Sequence, residues 1–286
     1  MIPTSFDYVR AGSVKEALGL LALGDGTKVI AGGHSLLPMM RFRLVQAPKL
    51  VDISRLEELR GVQEYKKGLR IGAATTYAEL ARHPLVQERC PVIAEVSADI
   101  ADLQVRNRGT IGGSLAHADP ASDMPAVMVA LNAEFQLRSR KGGRRTAQAR
   151  EFFKGAFTTD MTEDELFTDI LIPGMGRNAA VYVTFDSAAS GYAIAGVCAS
   201  VGRKRSTISD ISVAVTGVAE VVFLAPALEK MKETKCDAAV LAAAAKEAVA
   251  GLEIAGDVHA PTSYRRHIAE VAIVRAVEQA YQRAGT

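Results

Sequence analysis

Cysteine and histidine are scarce in this chain, and each scarcity excludes something. Only 3 cysteines occur in 286 residues. Cys90, Cys198 and Cys236 lie far apart, so no Cys-x-x-Cys pair, zinc ribbon or iron–sulfur run can be assembled from this chain alone. They are expected to be buried, reduced thiols. His83, His259 and His267 lack the spacing of a metal site. No stretch approaches a membrane span, and MIPTSFDYVR lacks the basic and apolar regions of a signal peptide, so a cytoplasmic location is expected. Charge of one sign is missing too. Lys and Arg number 34 against 32 Asp and Glu, which argues against a nucleic-acid partner. The densest basic cluster, RKGGRR at 140–145, suits a hairpin tip better than a nucleic-acid stripe.

What is present describes an ordered protein. Hydrophobic residues make up 49% and charged residues 23%, near the globular average, and 286 residues leave room for two or three domains. SVKEALGLLALG carries Ser13 and, three residues on, Glu16, the pattern of a capping box, with Gly24 as a stop. TKVIA at 27–31 and KLVDI at 49–53 predict short apolar strands on either side of the loop GGHSLLP. A new layer begins near residue 57. GVQEYKKGLRIGAATTY predicts a hairpin around Lys67-Gly68, and Thr76 with Glu79 makes a second capping box.

PVIAEVSADIA predicts a helix, whereas Val105 to Ala121 has no periodic stripe and is expected to be a long irregular segment of the kind that carries function. Asp123 or Ser122 can cap the following MPAVMVAL helix, after which EFQLRS, the basic turn and ELFTDILIP continue as strands. PGMGRN at 173–178 reads as a linker. AVYVTFDS, AIAGVCASV and ISDISVAVTGV then predict three apolar strands. Two alanine-rich helices follow, the second with Tyr264, Ile268, Val271 and Ala272 on one face.

Two loops stand out chemically, AGGHS at 31–35 and TIGGS at 110–114. Each pairs glycines beside a hydroxyl or imidazole, so that several backbone N–H groups can turn toward one point and hold an anion without a lysine. Two such nests facing each other suit a pyrophosphate. Either loop alone could equally be an ordinary tight turn. The glycine fingerprint of a Rossmann fold and a P-loop lysine are both missing. His34 could donate to a phosphate or a flavin edge, or could simply stabilise its loop. Asp123 could cap a helix or accept ribose hydroxyls. His117, and the methionines at 39, 40, 124 and 128, read as structural.

AGGHSLLPMMRFRLVQAPKLVDI, IGAATTY and above all QVRNRGTIGGSLAHADPASDMPAV resemble the flavin-binding medium subunit of the molybdenum hydroxylases, the group containing carbon monoxide dehydrogenase, quinoline oxidoreductase and xanthine dehydrogenase. The resemblance runs over nearly the whole chain and is strongest from 28 to 53 and from 104 to 131. It implies an α+β fold: an FAD-binding domain of the PCMH/vanillyl-alcohol-oxidase type over 1–175, with subdomains of about 1–56 and 57–175. A C-terminal domain over 176–286, with a three-stranded antiparallel sheet and a helical bundle, completes it. Gly32 and Gly33 would admit the FAD pyrophosphate.

Carried over by position, the resemblance puts Val29, Ile30, Ala31, Gly32, Gly33, His34, Ser35 and Leu36, with Thr110, Ile111, Gly112, Gly113 and Ser114, against the diphosphate and ribityl portions of FAD. Asp123 would take the adenosine ribose, Ile100 and Phe167 would pack near the flavin or adenine rings, and Tyr192 would lie beside the isoalloxazine. Two positions depart from the family. Ser114 replaces a common Asp or Asn, and Asp186 stands where relatives commonly have Lys, which should lower the flavin potential.

The implied function is electron relay. No nucleophile–base pair reads as a triad. A small partner subunit with two [2Fe–2S] clusters and a large partner subunit with molybdopterin would complete a heterotrimer, dimerised to a hexamer, with an external electron acceptor. A self-sufficient flavin oxidoreductase of the same wider fold, and a non-redox nucleotide-binding module, remain as alternatives.

Overall fold

A computed structural model describes residues 2–188, 191–258 and 260–284. The first body is a three-stranded parallel sheet in the order β1-β3-β2, formed by β1 (Asp7–Arg10), β2 (Lys28–Ile30) and β3 (Lys49–Asp52), with helices α1 (Val14–Leu21) and α2 (Leu36–Arg41). β1 has no apolar alternation and went unpredicted. It pairs with β3 from Asp7↔Lys49 to Arg10↔Asp52. The first capping box is half made. Ser13 Oγ accepts from the Glu16 N–H, but the Glu16 carboxylate takes the N–H of Gly12 rather than that of Ser13.

The second body is built on a five-stranded antiparallel sheet ordered β4-β5-β10-β6-β7. Its strands are β4 (Val62–Tyr65), β5 (Gly68–Gly72), β6 (Glu134–Ser139), β7 (Gly143–Gln148) and β10 (Glu165–Ile172). The β4–β5 turn falls on Lys66-Lys67, one residue earlier than expected, because Gly68 is a strand residue. A Cβ there would fall on the Ile172 carbonyl, so the glycine serves a backbone crossing. Helices α3 (Tyr77–Arg82), α4 (Pro84–Arg89) and α5 (Pro91–Asp99) follow, α3 opened by the complete Thr76–Glu79 capping box.

The segment expected to be irregular instead forms two short helices, α6 (Leu103–Arg108) and α7 (Ile111–His117). Asp102 and Thr110 cap them by accepting from the N–H groups of Val105 and Gly113. In α7 the glycines erase the apolar period on which a helix is recognised, and the two caps that set the starts went unread in the sequence. α8 (Asp123–Ala130) is apolar on all sides because it is enclosed on all sides, with every residue from Met124 to Ala130 buried. Helix α9 (Ala149–Phe152) and the two-stranded ribbon β8 (Phe153–Gly155) and β9 (Thr158–Thr159) finish this body.

The third body is an antiparallel sheet of β11 (Asn178–Asp186), β12 (Ala193–Lys204) and β13 (Thr207–Thr216), the three long strands expected, with a two-residue fourth strand, β14 (Phe223–Leu224), on its edge. One face packs Val197, Val201 and Val213 against α10 (Ala238–Ala250) and α11 (Thr262–Arg283). Its other face puts Ala180, Cys198 and Ala214 into the core shared with α8 and the second sheet. Both Cys90 and Cys198 are buried free thiols, as expected. Cys236 is only half-buried. Burial pushes the Cys90 thiol up to about 12.

The inward face of α11 includes Ile268 and Ala272 of the predicted stripe, but it is completed by Arg265, Ala269 and Ile273 rather than by Tyr264 and Val271. Tyr264 is exposed and Arg265 is buried. Arg265 donates to the carbonyls of Ile194 (3.1 Å) and Gly217 (2.8 Å) and pairs with Asp257 (2.6 Å), tying the first turn of α11 to the ends of β12 and β13. Arg265→Met would leave two carbonyls without their donor. Because Asp257 is itself half-exposed, the loss should stay at about 2–4 kcal/mol rather than the larger cost of a fully buried pair, read as a lowered midpoint in urea unfolding.

Candidate functional site

The loop at 31–35 leaves the end of β2 and enters α2. Gly33 has φ +79°, a conformation that favours glycine, and its carbonyl accepts from the N–H of Leu37. Gly32 is required for a different reason. A Cβ there would fall on the carbonyl of Arg108 and lie 2.9 Å from Gly109 Cα, so the first loop rests directly on the backbone that leads into the second. The glycine thus admits protein main chain, where the sequence had suggested a ligand. Among the described residues, the N–H groups of Gly32, Gly33, His34 and Ser35 have no protein acceptor. Four neighbouring donors at a partly exposed loop can hold an anion.

The loop at 110–114 is not a second nest. Its four leading N–H groups are all committed: Ile111 to Thr75 O (3.1 Å), Gly112 to Ala73 O (2.9 Å), Gly113 to Thr110 Oγ1 (3.2 Å) and Ser114 to Thr110 O (3.0 Å). Gly112 is a packing glycine, since a Cβ there would fall on Ala73 Cβ. Gly113 alone is exposed, and the only atoms a Cβ there would meet belong to the Thr110 side chain. The second loop therefore supplies a close-packed wall, with the donors coming from the first.

Beyond that wall lies a polar cluster that the sequence reading missed except for Ser114 and Asp123. Ser114 Oγ and Ser122 Oγ are 3.0 Å apart. The buried hydroxyl of Tyr77 is near Ser114, yet it makes no well-formed hydrogen bond among the described residues. Asp123 accepts from the Tyr182 hydroxyl at 2.6 Å. Enclosure of its carboxyl, with the charges of Asp186 and Asp99 adding to the effect, pushes Asp123 up to about 6, against the opposing hydrogen bond from Tyr182. Asp123 lies in the first turn of α8 and does not cap it with its side chain. Ser122 is the capping position and also makes no capping bond.

The remaining predicted residues scatter around this centre. Val29, Ile30, Ala31 and Leu36 are half-buried beside the first loop, and Ile111 is fully buried. His34 is exposed. Ile100 ends α5, half-buried, with its carbonyl held by Arg106 at 2.8 Å. Phe167 does not line a cleft with its ring. It is 4% exposed and packs against Phe135 and Phe152, because its place on β10 points it into the core. Asp186 is exposed at the end of β11 and accepts from Thr184 Oγ1. Tyr192 is 55% exposed, on the turn that joins β11 to β12. In SGYAIAG, Ser190 lies outside the described residues, as does His259. His117 packs on Phe157, in keeping with a structural role. Among the described residues no group of His, Cys, Asp or Glu could hold a metal, and no helix is long and apolar enough to cross a membrane.

Comparison with known proteins identifies the family. Residues 4–175 match the FAD binding domain in molybdopterin dehydrogenase, and residues 178–280 match the CO dehydrogenase flavoprotein C-terminal domain. The chain belongs to this family: it is an FAD-binding medium subunit of the molybdenum hydroxylase type. It is 39% identical over 287 residues to the carbon monoxide dehydrogenase medium chain of Hydrogenophaga pseudoflava, spanning 99% of both chains, and 42% identical over 230 residues to the glyceraldehyde dehydrogenase medium chain of Sulfolobus acidocaldarius, spanning 80% of this chain and 82% of that one. Among solved structures, it superposes on the H. pseudoflava carbon monoxide dehydrogenase lacking the Mo-pyranopterin moiety with a TM-score of 0.96, at 39% identity and 99% coverage of each chain. Quinoline 2-oxidoreductase from Pseudomonas putida 86 gives 0.95, at 31% identity and 100% coverage of each.

The residues fit the cofactor of this family. Four amides of one loop, residues 32–35, are unclaimed, and a buried Tyr77 hydroxyl without a well-formed partner lies in the polar cluster near Ser114 and Asp123. The two kinds of glycine should separate on mutation. Gly32→Ala should destabilise the FAD-free protein by about 1–3 kcal/mol, because backbone must move. Gly113→Ala asks only the Thr110 side chain to rotate and should cost about 1 kcal/mol or less. Urea unfolding of the two variants measures the difference.

Proposed function

We propose that this chain is the electron-relay subunit of a multi-subunit molybdenum hydroxylase, taking electrons from [2Fe–2S] clusters on a small partner subunit and delivering them through FAD to an external acceptor. Substrate oxidation would belong to a large molybdopterin-binding partner, in a dimer of heterotrimers. The observation that supports this reading is the contact of Gly32 with the Arg108–Gly109 backbone that leads into the second glycine segment, in a loop whose amides at 32–35 are unclaimed.

When bound, FAD supplies reversible uptake and release of electrons. The chain's own part is to hold and bias it. The amides of residues 32–35 would bind the diphosphate, with Val29 to Ala31 and Leu36 flanking it and Thr110 to Ser114 forming the opposite wall. Asp123, held by Tyr182, would accept the adenosine ribose hydroxyls, and Ile100 and Tyr192 would border the ring systems. Asp186 has a field that already reaches Asp123 and Tyr182, so its negative charge would oppose added electrons nearby.

Purification tests the reading. The protein should be yellow, release FAD rather than FMN on denaturation, and travel with chains that carry molybdenum and iron. A protein that stays colourless with excess FAD, alone and with its partners, would refute it. Replacing Asp186 with Lys should raise the flavin midpoint potential in a redox titration; an unchanged potential removes Asp186 from the neighbourhood of the flavin.

A further inference from the structure

The residue expected to take the ribose is held from the other domain. Asp123 is the first residue of α8, yet its hydrogen-bonding side chain partner is Tyr182, on β11 of the third body, 2.6 Å away. The loop that precedes Asp123 is fixed from the same side. Thr216 Oγ1 lies 2.7 Å from Pro120 O and 3.0 Å from Ser122 O, and the N–H of Gly217 donates to Pro120 O at 2.9 Å. Space for the tyrosine is built into the packing. A Cβ on Gly196, across the β11–β12 pair, would fall on the Tyr182 hydroxyl and lie 2.9 Å from Thr216 Cγ2. Tyr182 and Thr216 of one sheet thus hold Asp123 and the loop before it in the neighbouring domain, and Gly196 leaves the room between them.

We infer that the C-terminal domain is part of the FAD-binding apparatus, with Tyr182 as the positioning residue that orients the Asp123 carboxylate and keeps it ionised for the adenosine ribose. The inference rests on the reading of Asp123 as the ribose ligand. Tyr182 acts through Asp123 and needs no contact with the nucleotide. An ionised carboxylate is a stronger acceptor for a sugar hydroxyl than a protonated one. The surroundings work against ionisation. The carboxyl is enclosed, and the charges of Asp186 at the end of β11 and Asp99 at the end of α5 both raise its pKa, while the Tyr77 hydroxyl of α3 is neutral across the working range. The Tyr182 hydroxyl is the side-chain donor that favours the charged form.

The experiment is FAD affinity against pH, measured by fluorescence titration on the full chain, with any partner chains that accompany it, after FAD removal. In the wild type, affinity should fall as the pH drops through about 6, where Asp123 gains its proton. Tyr182→Phe should weaken binding by about tenfold at pH 7, from loss of one charge-assisted hydrogen bond, and should move the fall to higher pH. Asp123→Asn should weaken binding and flatten the profile, and Tyr182→Phe added to it should have little further effect. Circular dichroism and urea midpoints check that the variants remain folded.

A Tyr182→Phe protein with wild-type affinity and pH profile overturns the inference. So does one weakened equally at every pH, since that is what a merely structural tyrosine would give. Asp123→Asn with undiminished affinity is a separate failure, and it removes the ribose assignment itself. Thr216→Val offers a second probe: loosening the 120–122 loop should lower affinity without moving the pH midpoint, and a Thr216→Val protein that binds FAD as tightly as the wild type counts against the domain's role.

Discussion

The backbone of Gly32 lies against the backbone of Arg108 and Gly109, and the geometry of the site follows from that contact. It sets the loop after β2 against the end of α6, just before α7, at a separation no side chain would permit. The amides of residues 32–35 are left over at this junction because the parallel sheet has already ended and α2 has not yet begun. On the other side, α7 spends its leading amides on Ala73, Thr75 and its own cap, which makes it a rigid surface rather than a receptor. One loop therefore supplies donors and the other supplies shape.

Much of this could be read in the sequence, and the failures have a common cause. Periodicity, caps and strand runs located the two layers of the FAD-binding part, the three long strands that follow the linker and both closing helices. The two glycine loops read alike in the sequence but differ in the structure: Gly33 serves a left-handed turn, Gly32 and Gly112 serve close packing, and Gly113 lies exposed against the Thr110 side chain. Only a neighbour's position tells these apart. The same holds for Phe167, whose ring a linear motif cannot distinguish as core or lining, and for Arg265, which no hydrophobic stripe would place inside. Tyr182 could not have been found at all, since its partner is 59 residues away in another domain. The segment between α5 and α8 was misjudged because neither helix shows the stripe by which helices are found: α6 buries no residue, and α7 has two glycines in its first turn.

Placing a carboxylate where Asp123 sits works against stability. Its folded pKa is raised from the ordinary carboxylate value, so the native state holds its proton more firmly than the unfolded chain does, and this group takes stability away as the pH rises from about 4 to about 6. Under the proposed function, the adenosine ribose would make use of that charge.

The long central strand of the C-terminal sheet, Ala193–Lys204, is buried at ten successive positions from Ala193 to Gly202, with helices on one face and α8 on the other. A strand enclosed on both faces cannot be finished by its own half of the molecule. The joint at 173–178 is consequently a covalent convenience more than a boundary of stability. The two parts share one interior, so that exchanging either for a homologue's would require recutting the face where Ala180, Cys198 and Ala214 meet α8.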